Sequence, residues 1–226
     1  MHAGQPGADK AGKSSETARA APPGKCDNHH MMILRAASYR TVPWKNGGGL
    51  TREILREPPE PTPFDWRLSL ATIDSPGPFS GFAGYHRVLV LVSGAGVELD
   101  FGQQGRARLT APGQMVSFDG AWPTSCTLLN GRSTDLNLIV SEQRMRFSTE
   151  CLQFTQPRLV QTQQWPRTLV CCVSGAVRLT NSAGREEELS AVDVAVCSAE
   201  DAALACKPLG TAPVCVFVAR LSPRQP

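Results

Sequence analysis

The chain has 226 residues, with 23 Lys and Arg against 20 Asp and Glu and a formal net charge of +3. Hydrophobic residues make up 41% and charged residues 19%, enough to build one large core or two small ones. So small a charge argues against a nucleic-acid or membrane-binding surface. The longest unbroken aliphatic run, Val88 to Val92, falls far short of the roughly 20 apolar residues of a spanning helix.

Residues 1–30 are rich in Ala, Gly, Pro, Ser and Lys, and Thr17 is their only β-branched residue. Such a segment buries too little surface to offset its ordering entropy, so a disordered tail is expected. It carries no apolar stretch of the kind a secretory signal needs, which makes the cytoplasm the expected compartment. From residue 33 the chain reads as short strands separated by turns. LTREIL (50–55), DWRLSLATI (65–73), HRVLVLV (86–92), GVELDF (96–101), RARLT (106–110), QMVSF (114–118), CTLLN (126–130) and DLNLIV (135–140) are the strands. EPPEPTP, SPGPFSGF, SGAG, GQQG, APG and NGRS supply the turns. No long window shows a helical period, so the class is all-β.

The order of elements repeats. LVLVSGAGVELDFGQQGRARLTAPGQMVSF (89–118) lines up with LVCCVSGAVRLTNSAGREEELSAVDVAVC (169–197). Each copy reads strand, SGA turn, strand, Gly-Arg hairpin, strand, strand. Two jelly-roll barrels in one chain are the expected architecture, over residues 31–145 and 146–226. Barrels of this kind in the cupin fold hold metals through several His ligands. Here three of the four His (His2, His29, His30) lie in the tail and only His86 in the core, so no metal and no cofactor is expected. Eight Cys are present without a CxxC pair. Cys171, Cys172, Cys197 and Cys215 sit in apolar runs, where a thiol behaves as a small buried hydrophobe rather than a disulfide partner.

Four stretches carry candidate chemistry. In VPWKNGGGLTREI (42–54), Gly47, Gly48 and Gly49 free the backbone, and Lys45 and Arg52 flank them. An anion cradle and a plain Gly-rich bend both fit this pattern; a P-loop does not, because the Lys precedes the glycines. In FDWRLSL (64–70), alternation puts Trp66, Leu68 and Leu70 on one face and Arg67, Ser69 and Ala71 on the other. In GPFSGFAGYHR (77–87), Arg87 heads a strand whose same-face residues, Leu89 and Leu91, are apolar. In DLNLI (135–139), Asp135 and Asn137 share a face and suit arginine partners.

WKNGGGLTREI, FDWRLS, GPFSGFAGYHR and DLNLIV, in that order, closely resemble the HutD/Ves family of bacterial bicupin proteins. The resemblance spans residues 32–220, with its specific motifs in the first half. It implies two cupin barrels and no established catalytic activity. The HutD branch is associated with histidine-utilisation operons, with binding of a small carboxylate intermediate such as urocanate or formylglutamate, and with a governor role. The Ves branch is associated with stress. Carried onto this sequence, the resemblance implies a small-acid pocket in the N-terminal barrel. Lys45, Asn46, Arg52, Glu53, Trp66, Arg67, Arg87 and Asn137 are its candidate residues. Arg67 and Arg87 would pair with the carboxylate, Trp66 would form an apolar wall, and Lys45 and Asn46 would orient the polar end. No catalytic residue, nucleic-acid partner or membrane partner is assigned, and a homodimer stays open. Two other readings stand beside this one. One is a cofactor-independent isomerase or hydrolase with Glu53 or His86 as general base. The other is a structural dimer module with a filled lumen.

Overall fold

The computed structural model describes residues 31–44, 47–59 and 63–225. The tail expected over residues 1–30 lies outside the described residues. The strands run β1 (Met32–Leu34), β2 (Arg40–Pro43), β3 (Gly49–Glu57), β4 (Trp66–Ile73), β5 (Gly77–Pro78), β6 (Tyr85–Gly94) and β7 (Val97–Asp100). They continue as β8 (Arg106–Leu109), β9 (Met115–Asp119), β10 (Ser125–Leu128), β11 (Ser133–Ser141), β12 (Met145–Phe154) and β13 (Arg158–Gln161). The last are β14 (Arg167–Ser174), β15 (Val177–Thr180), β16 (Glu186–Leu189), β17 (Val194–Cys197), β18 (Ala203–Pro208) and β19 (Val214–Pro223). Among the described residues no helix is long and apolar enough to cross a membrane.

The protein is a bicupin, and the repeat seen in the sequence is a repeat of topology. The N-terminal barrel pairs a six-stranded sheet, β2-β3-β4-β11-β6-β9, with a four-stranded sheet, β5-β10-β7-β8. The C-terminal barrel repeats the order, with β12-β19-β14-β17 in place of β4-β11-β6-β9 and β13-β18-β15-β16 in place of the small sheet. Each large sheet has its own extension. In the first, the β2–β3 hairpin adds beyond β4. In the second, β1 adds beyond β17, in register Met32↔Val196, Ile33↔Ala195 and Leu34↔Val194.

The segment expected to open the first barrel is therefore docked on the second. Met31, fully buried, sits in the apolar core of the second barrel. Asp193, buried at 6% exposure, holds the chain as it leaves β1. It accepts from the Ala36 backbone N–H at 2.9 Å and from Arg35 Nη1 at 3.0 Å. The Tyr39 hydroxyl closes the junction by donating to the Val192 carbonyl at 2.7 Å.

The two large sheets pack against each other. Trp66, Leu68 and Leu70 of β4, Val88, Val90 and Val92 of β6, and Leu136, Leu138 and Val140 of β11 meet Leu169, Cys171 and Val173 of β14 and Phe217, Ala219 and Leu221 of β19. The opposite faces of these strands point into the two lumens. The second lumen is filled by apolar side chains, Val170, Cys172, Val177, Leu179, Leu204, Val216 and Val218 among them. Central strands buried on both faces explain why HRVLVLV and LVCCV lack a polar alternation. The seven described cysteines are free, and burial pushes the thiols of Cys126 and Cys206 up to about 12, which keeps them neutral and inert.

Phe217 is fully buried where the sheets meet. Phe217→Ala is expected to cost about 3–5 kcal/mol, the range for a large core truncation. Because the two barrels share this core, urea unfolding followed by circular dichroism and by tryptophan fluorescence should give one coincident transition.

Candidate functional site

The lumen of the N-terminal barrel is only partly filled. Leu89, Leu91, Val97, Leu99 and Phe118 pack part of it. Beside them opens a cavity of about 670 Å³, within the usual range for small-molecule sites. β4 contributes Arg67, Ser69 and Ala71; β6 contributes Arg87; β11 contributes Asp135 and Asn137. These are the lumen-facing positions of three adjacent strands, aligned by the pairs Asn137↔Ser69, Asp135↔Ala71 and Ile139 with both Arg67 and Arg87.

Two further segments wall the cavity. The first is the turn joining β2 to β3, which brings Trp44 over β3. Gly47 turns the chain with φ of 71°, and its N–H donates to the Trp44 carbonyl at 3.0 Å. Gly49 is needed for close approach instead: a Cβ there would lie 2.2 Å from the Thr72 carbonyl and 3.2 Å from the Trp44 ring. Trp44 Nε1 donates to Thr51 Oγ1 at 2.8 Å, which fixes the indole against the cavity. The glycines thus position an aromatic wall. The second segment is the loop after β5. Phe79 N–H donates to the Thr124 carbonyl at 2.9 Å and Phe82 N–H to the Gly120 carbonyl at 2.7 Å, which pins Phe79, Ser80 and Phe82 over the opening.

Arginine and aromatic rings alternate across the site. The Arg67 guanidinium lies 5.3 Å from the centroids of Phe64 and Phe82. The Arg87 guanidinium lies 5.5 Å from Phe82 and 5.2 Å from Phe79 and Phe118. Cation–π contact offsets part of the cost of burying these charges while leaving in-plane N–H groups to face an anion. Arg87 is 4% exposed and donates from Nη1 to the Ser80 carbonyl at 3.2 Å. Its Nε and the Nε of Arg67 have no partner. Both oxygens of Asp135 and Oδ1 of Asn137 are likewise unbonded. Burial, opposed by the Arg87 charge, lifts the Asp135 carboxyl to about 7. Burial, opposed by Asp135, brings Arg87 down to about 10, and burial lowers Arg67 as well.

The structure brings together Arg67, Arg87 and Asn137 of the residues expected at the site. Glu53 pairs with Ser69 and its charge favours protonated Arg67, but it is not among the cavity-lining residues. Trp66 does not line the cavity. It is 2% exposed in the core between the barrels, because its position in the β4 alternation is opposite to that of Arg67. Arg52 shares the face of its partner Leu70, which also packs between the barrels. Lys45 and Asn46 lie outside the described residues. His86 faces away from the cavity, with Nε2 2.6 Å from Ser117 Oγ and Nδ1 3.3 Å from Glu142. Trp44, Phe79, Phe82 and Asp135 complete the site. The motifs that contain them were visible in the sequence, but their convergence depends on loops folding over the barrel mouth. Among the described residues no cluster of three or more His, Cys, Asp or Glu is placed to hold a metal.

The family model for HutD matches residues 36–216. The chain belongs to the HutD family. It is 45% identical over 118 residues to an uncharacterized 21.2 kDa protein in the hutC 3′ region of Pseudomonas putida, covering 51% of this chain and 61% of that relative. It is 38% identical over 104 residues to protein Ves of Citrobacter koseri, covering 46% of this chain and 54% of the relative. The chain thus spans less than two thirds of the length of the curated relatives it matches. HutD from Pseudomonas fluorescens SBW25, solved in a formate condition, is 30% identical with a TM-score of 0.72, covering 87% of this chain and 100% of that one. A cupin 2 barrel protein from Leptotrichia buccalis, 12% identical with a TM-score of 0.53, shares the fold over 80% of this chain and 92% of its own.

Asp135 places a pH signature on stability. Its folded value near 7 lies above the ordinary 3.8. The folded state therefore holds the proton more tightly, and ionising Asp135 weakens the fold. This penalty is absent near pH 4, grows as the pH rises toward 7, and is constant above it. Asp135→Asn is expected to melt higher than wild type at pH 8 and to converge with it near pH 4, as thermal melts across that range would show.

Proposed function

We propose that this chain binds a small organic carboxylate in the lumen of its N-terminal barrel and serves histidine utilisation as a regulatory protein. A degradation intermediate such as urocanate or formylglutamate is the ligand this reading favours. The observation that carries it is a pair of guanidiniums, half-buried Arg67 and buried Arg87, lining one cavity with unbonded Nε groups and no ion pair among the described residues. Buried charge of this kind is costly unless paired, and a planar carboxylate matches the guanidinium fork. Membership of the HutD family, a relative encoded in the hutC 3′ region, and a HutD relative solved in a formate condition support the same reading. The filled second lumen leaves the C-terminal barrel as a packing partner for the first.

Calorimetric titration with formate, acetate, urocanate and formylglutamate tests this. Arg67→Ala and Arg87→Ala are each expected to weaken binding about ten- to a hundredfold, the value of one charge-assisted contact. Arg→Lys at either position should fail to restore it, since an ammonium has no planar fork. Arg106→Ala is the control. Its side chain is 68% exposed and pairs with Asp100 at the far sheet, so it should leave affinity unchanged. Wild-type affinity in both cavity variants, or no binding of any of the four acids, would overturn the assignment.

A further inference from the structure

The cavity carries acceptors as well as cations, and the two are ordered along one strand. On β11, Ile139 is the position level with both Arg67 on β4 and Arg87 on β6. Asn137 follows one pleat away, opposite Ser69, and Asp135 one pleat further, opposite Ala71 and Leu91. Alternation keeps Asn137 and Asp135 on the same lumen face, about 13 Å of strand from Ile139 to Asp135. Long arginine side chains shorten that span at the level of the functional groups. The result is a polar axis, with guanidinium donors toward one end and three unbonded acceptor oxygens toward the other.

A bare carboxylate satisfies only half of this arrangement. It meets Arg67 and Arg87, but it leaves Asp135 unpaired and adds a like charge to the same cavity. A ligand with an N–H donor a few bonds from its carboxylate satisfies both ends. Asp135 is fully buried, at 1% exposure, and small Ala71 opposite it leaves room for such a group. A buried carboxylate without a hydrogen-bond partner weakens the fold, and among the described residues no group donates to this one, although its charge faces that of Arg87.

We propose that Asp135 is the specificity-determining residue of the site, selecting small carboxylates that also present an N–H donor. This rests on the anion-site reading above and adds to it the second pole of the ligand. Burial that raises the Asp135 carboxyl makes the acceptor responsive to such a donor, which stabilises its charged form.

The test uses two acids that differ only in one ring atom, 3-(1H-pyrrol-2-yl)propanoate and 3-(furan-2-yl)propanoate, titrated at pH 8 into the full chain. Wild type should prefer the pyrrole acid by roughly tenfold or more, the size of one charge-assisted hydrogen bond. Asp135→Asn and Asp135→Val should reduce that preference below about threefold, with affinity for the furan acid unchanged or improved. A purely structural role for Asp135 would change both affinities together and leave their ratio intact. Equal wild-type affinity for the two acids overturns the proposal, as does a preference that persists in both variants. Binding of formate or acetate but of neither heteroaryl acid overturns it alone. Binding of none of the four overturns the anion-site reading with it.

Discussion

The central strands of both large sheets are buried on both faces. One face of β4, β6 and β11 meets β14, β17 and β19 across the molecule, and the other face looks into a barrel. The period-2 alternation of a strand then assigns every residue to one of two interiors. A polar residue in these strands cannot escape to water by turning over, because the opposite face is the inter-barrel core. Arg67, Ser69, Arg87, Asp135 and Asn137 are therefore held in the first lumen by the apolar residues that alternate with them.

Confinement alone would make these charges a liability. The aromatic rings of Phe64, Phe79, Phe82 and Phe118 lower the cost by lying against the guanidiniums, and they do so without occupying their N–H groups. Asp135 moderates the positive field from Arg87 without bonding to it. The site is thus a set of charges spaced by rings and by distance, with several polar atoms left unbonded.

The second barrel shows what the first would be without those polar residues. Apart from the extensions of the large sheets, its strands follow the same order. Yet the lumen positions of β14 and β19 include Val170, Cys172, Val216 and Val218, which pack the interior with apolar contacts. Two copies of one architecture have taken different parts. The first keeps a cavity, and the second supplies a continuous core and the edge strand that captures Met32–Leu34. The Asp193 contacts with Arg35 and Ala36 lock that strand in place, so the chain crosses the second barrel before it builds the first.

Class, strands and duplication are legible in the linear chain. Alternation, turn residues and the SGA-centred repeat are local signals, and they map onto β6 to β9 and β14 to β17 in the order read. The pairing of faces within β4 is legible too, because the side-chain period of a strand is fixed. What alternation does not say is which face is the lumen and which is the interface. The apolar face that carries Trp66 fits the wall of a pocket as well as it fits a core, and only the apposition of a second sheet places it between the barrels. The same holds for Arg52, whose partner Leu70 packs there. Trp44, Phe79 and Phe82 enter the site through turns that fold over the barrel mouth, and the unbonded acceptors of Asp135 and Asn137 arise from burial that three neighbouring strands create together. Such convergence joins residues 44 to 137, and it is set by long-range contacts, for which a linear sequence carries no period.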